Sequence, residues 1–279
     1  MIFKTEQEAL EWFEKDQRIL TDQFIQTIPW HEVKNHPVAE NLIPVLRYMR
    51  DIEACTEVYY QELCKSPTAK NKAIRRFMDR WSKEEPTHAE LLHRFLSEAG
   101  IQEESWKQTV FGSISKQYRV KAFLQMCLAH VVGKRFGAVH MVWGAINEYC
   151  TLIGYKRLWE KAKHPVLEYI LRAIVREEAR HAFFYWSVAR IYLDRHRLMR
   201  PVTRFIINHF WSPVGQGIKP KEAANYLVKQ LFDGKDGLDF IHIHVNQRIA
   251  QLPGLDDLIR ITERIAETTS AQHIALQKI

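Results

Sequence analysis

The sequence predicts an all-α protein, and three observations carry that prediction. Long stretches repeat apolar residues at a 3.6-residue period, and no convincing period-two run interrupts them. Gly and Pro are sparse, 11 and 10 in 279 residues. Hydrophobic residues make up 46% of the chain, ample for a sizeable core.

Helices are expected over 5–20, 40–65, 68–99, 116–160 and 164–195. Pro37 and Ser66-Pro67 mark the first breaks, and Gly100 with the polar IQEESW ends the third helix. Pro67 and Pro165 sit where a proline opens a helix, because the N–H it lacks would have no partner there. The stretch 116–160 is long enough to be broken internally. Shorter helices follow Pro201, at about 201–210, 220–231, 237–250 and 254–277, punctuated by WSPVGQGIKP, FDGKDG and LPGLDD. No linker divides the chain. It reads as one domain, 1–279: a helical bundle over about 40–195, an N-terminal helix before it and a C-terminal helical extension over about 196–279.

No apolar run approaches the roughly 18 residues of a membrane span. The N-terminus is charged from Lys4 onward, so neither a signal peptide nor an anchor is expected. Cys55, Cys64, Cys127 and Cys150 are scattered without a CxxC pair, which argues against an iron–sulfur cluster, a zinc knuckle or a disulfide scaffold and points to a reducing cytoplasm. The net charge of +7 is spread along the chain and reads as solvated surface, with no nucleic-acid partner expected.

One device occurs twice. Residues Glu84–Ala89 read EEPTHA and residues Glu177–Ala182 read EEARHA. Glu85 and His88 continue the apolar stripe Ile74, Met78, Trp81, Leu92, Phe95, while Glu178 and His181 continue Leu167, Leu171, Ile174, Tyr185, Val188, Tyr192. Residues three apart on a helix project to one side, so a single ion can bind both. A carboxylate aimed into its own helix's core is costly unless something neutralises it. A third pair, Glu90–His93, lacks the acidic doublet, lies off the stripe and reads as surface.

Each pair has a candidate carboxylate on the preceding helix. With the turn at Lys163, Glu148 stands as far before it as Glu178 stands after it, so an antiparallel hairpin puts them at one level. The first hairpin offers Glu53 and Glu57. At 1.5 Å rise per residue their levels miss Glu85 by about 6 Å and about 12 Å, which favours Glu53 and leaves Glu57 as the alternative. Glu53, Glu85, His88, Glu148, Glu178 and His181 then form the ligand set of a carboxylate-bridged di-iron or di-manganese site in a four-helix bundle. Two divalent ions balance four carboxylates. A network of buried salt bridges is the plainer alternative.

On WSKEEPTHAELLHRFLSEAG (Trp81–Gly100), INEYCTLIGY (Ile146–Tyr155) and IVREEARHAFFY (Ile174–Tyr185) the chain resembles ferritin-like di-iron proteins of the acyl-carrier-protein desaturase family. Weaker likeness runs through NLIPVLRYMRDIE and QRIAQLPGLDDLIRITERIAE. The resemblance implies a ferritin-like bundle, the six residues as iron ligands, a homodimer, and Thr151 beside the edge where oxygen binds. Two positions depart from the pattern. Pro86 stands inside EEPTH and is expected to kink or bulge its helix, and Thr87 replaces an arginine.

Carboxylates with one imidazole per metal suit two iron ions or a manganese–iron pair. The expected reaction is oxygen-dependent desaturation or hydroxylation of an acyl chain, free or delivered by an acyl carrier protein, or of another apolar metabolite. Neither a flavin or nicotinamide fingerprint nor a cysteine cluster is present, so a ferredoxin-like external electron donor is implied. Gly133, Gly137 and Gly144 line either a slender channel or, the preferred reading, a close helix contact. Arg75, Arg76, Arg80 and Lys83, or Arg195, Arg197, Arg200 and Arg204, are candidates for receiving a carrier's acidic surface, although solvated helix face is the plainer reading. An N-oxygenase of a biosynthetic amine and a ferroxidase are the rival activities. The long extension weighs against iron storage.

Overall fold

The computed structural model describes residues 2–276 except 104, 113, 115–117, 119–125, 128, 257 and 259, with backbone alone over 271–276. Every regular element among the described residues is helical. The first expected helix, 5–20, is shorter. α1 (Glu6–Lys15) is capped by the Thr5 side chain and stops at an extended Asp16, and α2 (Asp22–Thr27) starts afresh under a Thr21 cap. The irregular stretch between them serves the site described below. A 3-10 turn at Trp30–Asn35, which no periodicity announced, follows.

The expected helix over 40–65 is two. α3 (Ile43–Ala54) and α4 (Thr56–Cys64) meet at Cys55, whose N–H is shared between the Asp51 and Ile52 carbonyls at 3.1 and 3.0 Å. Pro67 opens only a 3-10 turn, Pro67–Lys70. α5 (Lys72–Glu98) starts later because Asn71 caps it, its Oδ1 accepting from the Ala73 and Ile74 amides. Around Pro86 the chain stays α-helical from Lys72 to Glu98, so the expected local bulge is absent. The short α6 (Trp106–Gly112) was not anticipated.

Much of 116–128 in the expected helix 116–160 lies outside the described residues. Its described remainder ends in a 3-10 turn, Gly133–Phe136, and α7 (Gly137–Ala162). Lys163 turns the chain in the left-handed region (φ 48°), and His164 caps α8 (Pro165–Arg195), with Pro165 in its first turn. Beyond it lie α9 (Met199–Phe210), α10 (Lys221–Phe232), α11 (Gly234–Ile241), a π turn at His242–Asn246, α12 (Gln247–Ala250) and α13 (Arg260–Leu276). The π turn splits the helix expected over 237–250, and α13 starts six residues later than the expected 254.

Side-chain pairings give the directions. Phe77 stacks on Phe184 (ring centroids 3.8 Å apart) and Phe95 meets His164, so α5 runs antiparallel to α8. An added Cβ at Gly137 would meet Tyr192 and one at Gly144 would meet Tyr185, so α7 and α8 form the antiparallel hairpin read from the sequence. The extension closes the opening between α3 and α7. Ala224 of α10 packs on Tyr48 and Ile52, Leu231 comes within reach of Gly154, and the buried Trp211 donates to Asn147. A continuous buried core reaches from Ala9 to Ile265. No helix among the described residues is long and apolar enough to cross a membrane.

Candidate metal centre

The stripe residues of α5 and α8 are buried as their periodicity predicts, and Glu85, His88, Glu178 and His181 are buried with them. α3 contributes Glu53 and α7 contributes Glu148, both also buried. The six fall into two overlapping groups. Glu53, Glu85, His88 and Glu178 each offer a ligand atom within 4.8 Å of the others, as do Glu85, Glu148, Glu178 and His181. Glu85 and Glu178 belong to both groups. The two imidazoles lie 6.2 Å apart. Glu57, the alternative to Glu53, is exposed on α4.

Both imidazoles point Nδ1 inward. His88 Nδ1 lies 3.1 Å from Glu85, 3.0 Å from Glu178 and 4.0 Å from Glu53. His181 Nδ1 lies 3.0 Å from Glu85 and 3.9 Å from Glu148 and from Glu178. The far nitrogens are occupied crosswise. His88 Nε2 meets Glu177 at 3.0 Å, and His181 Nε2 meets Glu84 at 2.7 Å. Each doublet therefore splits its work: its second Glu faces the centre, while its first holds the histidine of the opposite helix. Such a partner would fix the tautomer of a neutral imidazole and leave its Nδ1 lone pair for a metal. Glu84 and Glu177 went unassigned in the sequence, although the doubled Glu in both motifs was the available signal.

The donor chemistry fits a cation pair. Burial and then the Glu85 and Glu178 charges push Glu53 well above the usual carboxylate range; burial and the same two neighbours do so to Glu148. Burial and then Glu85 raise Glu178. Burial would raise Glu85 as well, but His88 and His181 outweigh it and hold that carboxyl well below the usual range. Burial would lower the imidazoles, yet the carboxylates around them lift both well above theirs. Protons therefore do the neutralising in the metal-free pocket. Even so, the Glu178 oxygens and His181 Nδ1 make no well-aligned hydrogen bond, although His88 Nδ1 and Glu85 approach them to 3.0 Å. Two divalent ions would satisfy those atoms and displace the protons.

Beside the centre lies an apolar cavity of about 60 Å³. Glu53 joins it to the centre; Met49, Thr151 and Gly154 line it as well, with Phe232 and Ile265 of the extension. Tyr185 and Tyr192 fill the space at Gly144 and Gly137, the close contact preferred from sequence, whereas Gly133 falls in the 3-10 turn before α7 at a positive φ of 66° with nothing among the described residues packed against it. Tyr155 donates to Glu53 at 2.5 Å. Thr87, at the position that departs from the family pattern, accepts a hydrogen bond from Arg18 of the stretch after α1. The basic clusters are largely paired: Arg75 with Asp79, Arg76 with Glu14, Arg80 with Glu84, Arg195 with Glu6 and Arg200 with Asp194. Glu90 is exposed as expected, whereas His93 is half-buried and stacks on Trp106.

The model of the fatty acid desaturase family matches residues 37–214, which contain all six candidate ligands. No curated protein and no solved structure matches the chain.

Proposed function

Because this chain belongs to the fatty acid desaturase family, we propose that it is an oxygen-dependent oxidoreductase holding two iron ions and acting on an acyl chain or a comparable apolar substrate. The observation that carries the reading is the pair of overlapping four-residue groups that share Glu85 and Glu178. In this reading Glu53, Glu85, His88 and Glu178 would hold one ion and Glu85, Glu148, Glu178 and His181 the other, Glu85 and Glu178 belonging to both groups. Iron so held supplies oxygen reduction and the oxidising power to remove hydrogen from an unactivated C–H bond.

The protein's own contribution is placement. Glu84 and Glu177 keep Nδ1 of each histidine free and oriented. The cavity beside Glu53 and Thr151 excludes water and receives an apolar segment; at about 60 Å³ it has room for only a few carbon atoms unless its wall moves. Thr151 lines the same cavity as Glu53 and in this reading offers it a hydroxyl. Among the described residues no acidic side chain other than Glu53 lines it, which suits a hydrocarbon better than an amine.

Reducing oxygen to water takes four electrons and forming a double bond releases two. The other two come from an external donor of ferredoxin type, since the described cysteines are free and scattered. A homodimer, a cytoplasmic setting and delivery by an acyl carrier protein belong to the same proposal.

The test is oxygen uptake by the reduced, iron-loaded protein with carrier-bound and free acyl chains, with mass analysis of the substrate. The expected result is uptake that depends on the acyl chain and a product lighter by two hydrogens or heavier by one oxygen. Uptake indifferent to every chain, accompanied by deposition of ferric mineral, would overturn the reading in favour of iron handling.

A further inference from the structure

A second concave feature lies beside the metal face of the α7–α8 hairpin. It is a groove of about 540 Å³, within the range of roughly 300–1,000 Å³ typical of small-molecule sites. Leu152 and Ile153 of α7 form its apolar floor. Three aromatic side chains from three helices wall it: Trp12 of α1, Tyr149 of α7 and Phe183 of α8, with Trp12 and Phe183 edge to face at 4.6 Å. Four basic side chains complete it: Lys156, Arg180, His244 and Arg248. His244 is presented by the π turn, a helix irregularity common at functional sites.

None of the four is in a salt bridge among the described residues, and the Lys156 and Arg248 side chains make no hydrogen bond there. Arg180 is 7% exposed; its Nη2 donates to the Phe13 and Asp16 carbonyls, while its Nε and Nη1 are buried without a partner. Four acids act on this set by charge, Asp16, Glu84 and Glu177 on Arg180 and Glu160 on His244, and three of them are committed elsewhere. Glu160 pairs with Arg157, and Glu84 and Glu177 hold the metal-site histidines. Burial, then Lys156 and Arg248, hold His244 below the usual imidazole range, so the crowding is felt across the groove. Like charges gathered around one groove are unfavourable until an anion joins them.

Charge and shape together select the ligand. Lys156 and Arg248 bring two permanent cations, which suits a phosphate monoester, carrying about −1.5 to −2 at pH 7, better than a single carboxylate. Aromatic walls over an apolar floor suit a flat ring system. We infer that this groove binds a phosphate monoester with a planar apolar body, its phosphate among Lys156, His244 and Arg248 and its ring against Trp12, Tyr149 and Phe183. Because Ala179 and Arg180 separate Glu178 from His181, an occupant there abuts the turn of α8 that carries two candidate ligands. The groove inference stands apart from the oxygenase reading and survives its failure.

Calorimetric titration of the full-length, metal-loaded protein with naphthyl phosphate, and separately with its halves, naphthol and inorganic phosphate, tests the inference. Naphthyl phosphate should bind at least about tenfold more tightly than either half. The double variant Lys156→Ala/Arg248→Ala should lose at least about tenfold for naphthyl phosphate and for inorganic phosphate, with its naphthol affinity, metal content and melting temperature unchanged. Tyr149→Ala should weaken naphthyl phosphate and leave inorganic phosphate as it was. Equal affinity for naphthol and naphthyl phosphate in the unaltered protein, or unchanged phosphate binding in the double variant, overturns the inference.

Discussion

The two halves of the candidate centre have nearly the same sequence, EEPTHA on α5 and EEARHA on α8, and are braced in different ways. Glu84 is gripped from its own helix: Arg80, one turn earlier, donates through Nε to Oε1 at 2.7 Å. Glu177 is gripped from far along the chain, where the Ile19 and Leu20 amides each donate to Oε1 at 2.9 Å and Arg18 stands 3.8 Å away. Burial would raise Glu84, but His181 and Arg80 prevail and bring it to about 2. Glu177 is lowered too, against its burial, by His88 and by the Leu20 amide. One motif thus rests on a charged, partly exposed side chain, the other on backbone donors buried under the stretch between α1 and α2. The lesson is that repetition in sequence fixes which atoms meet at the centre and leaves open what holds them.

The largest expected effect falls on what the halves share. Glu85 and Glu178 sit in both ligand groups, whereas Glu53 and His88 sit in one and Glu148 and His181 in the other. Glu178→Ala should therefore cost both ions, Glu53→Ala one, and Glu57→Ala, at an exposed position, none. Metal content per chain after iron loading and desalting, with helicity as a control, reads this directly. Two ions retained in Glu178→Ala would mean the ligand set is wrong.

Next come the carboxylates behind the histidines. Glu84→Gln and Glu177→Gln should each lower metal affinity by about 10–100-fold, the usual cost of losing a carboxylate that orients a ligating imidazole. The two should act on different ions, Glu177 through His88 and Glu84 through His181. A titration resolving two binding events would show whether each substitution weakens only one of them. Equal weakening of both events in either variant would break the comparison.

These two residues also mark how far the sequence was legible. The α5 and α8 stripes, the Lys163 turn and the levels of Glu148 and Glu178 follow from helix periodicity and rise, because long amphipathic helices obey both. The Arg80–Glu84 grip was equally open to view as an i, i+4 pair. The Ile19 and Leu20 grip was not, because a backbone amide leaves no mark on residue identity and its acceptor lies 157 residues away. The same reasoning explains why the first helix was drawn through to residue 20: its charged and apolar residues suit a continued helix, while Glu177 is satisfied by amides left free when the helix stops at Lys15. The apolar cavity beside Glu53 was hidden for a related reason. Its far wall comes from Phe232 and Ile265, beyond the matched residues 37–214, and depends on how the extension folds back.

A smaller effect is set by protons. In the metal-free protein Glu53, Glu148, Glu178, His88 and His181 all bind protons more tightly folded than unfolded. Stability linked to a raised pKa is present in full below the unfolded value and is lost as pH rises toward the folded one. The loss begins above the ordinary carboxylate range for the three Glu and above the ordinary imidazole range for the two His. Glu84, Glu85 and Glu177, with lowered values, act oppositely, losing stabilisation only as pH falls below the ordinary carboxylate range. Between pH 5 and 8 the melting temperature of the metal-free protein should therefore fall. That of the loaded protein should fall less, because bound cations have already displaced these protons. A gap between the two melting curves that narrows as pH rises would contradict this assignment of protons.

The smallest expected effect isolates the difference between the halves. Arg80→Ala removes the charged grip on Glu84 but leaves the His181 contact in place. The guanidinium is 25% exposed, so solvent screens part of its hold, and a loss of about two- to tenfold in affinity at the His181 ion is expected. Arg80 also lies over the Phe13 ring and donates to the Asp16 carbonyl, so its loss could act by loosening α1 instead. A double-mutant cycle separates the routes. If Arg80 works through Glu84, Arg80→Ala should add little to Glu84→Gln and should leave the His88 ion untouched. If it works by anchoring the stretch after α1, it would weaken the His88 ion as well, because Ile19 and Leu20 of that stretch hold Glu177. The backbone-braced half would then depend on the charged one, and the two grips would be a single structure.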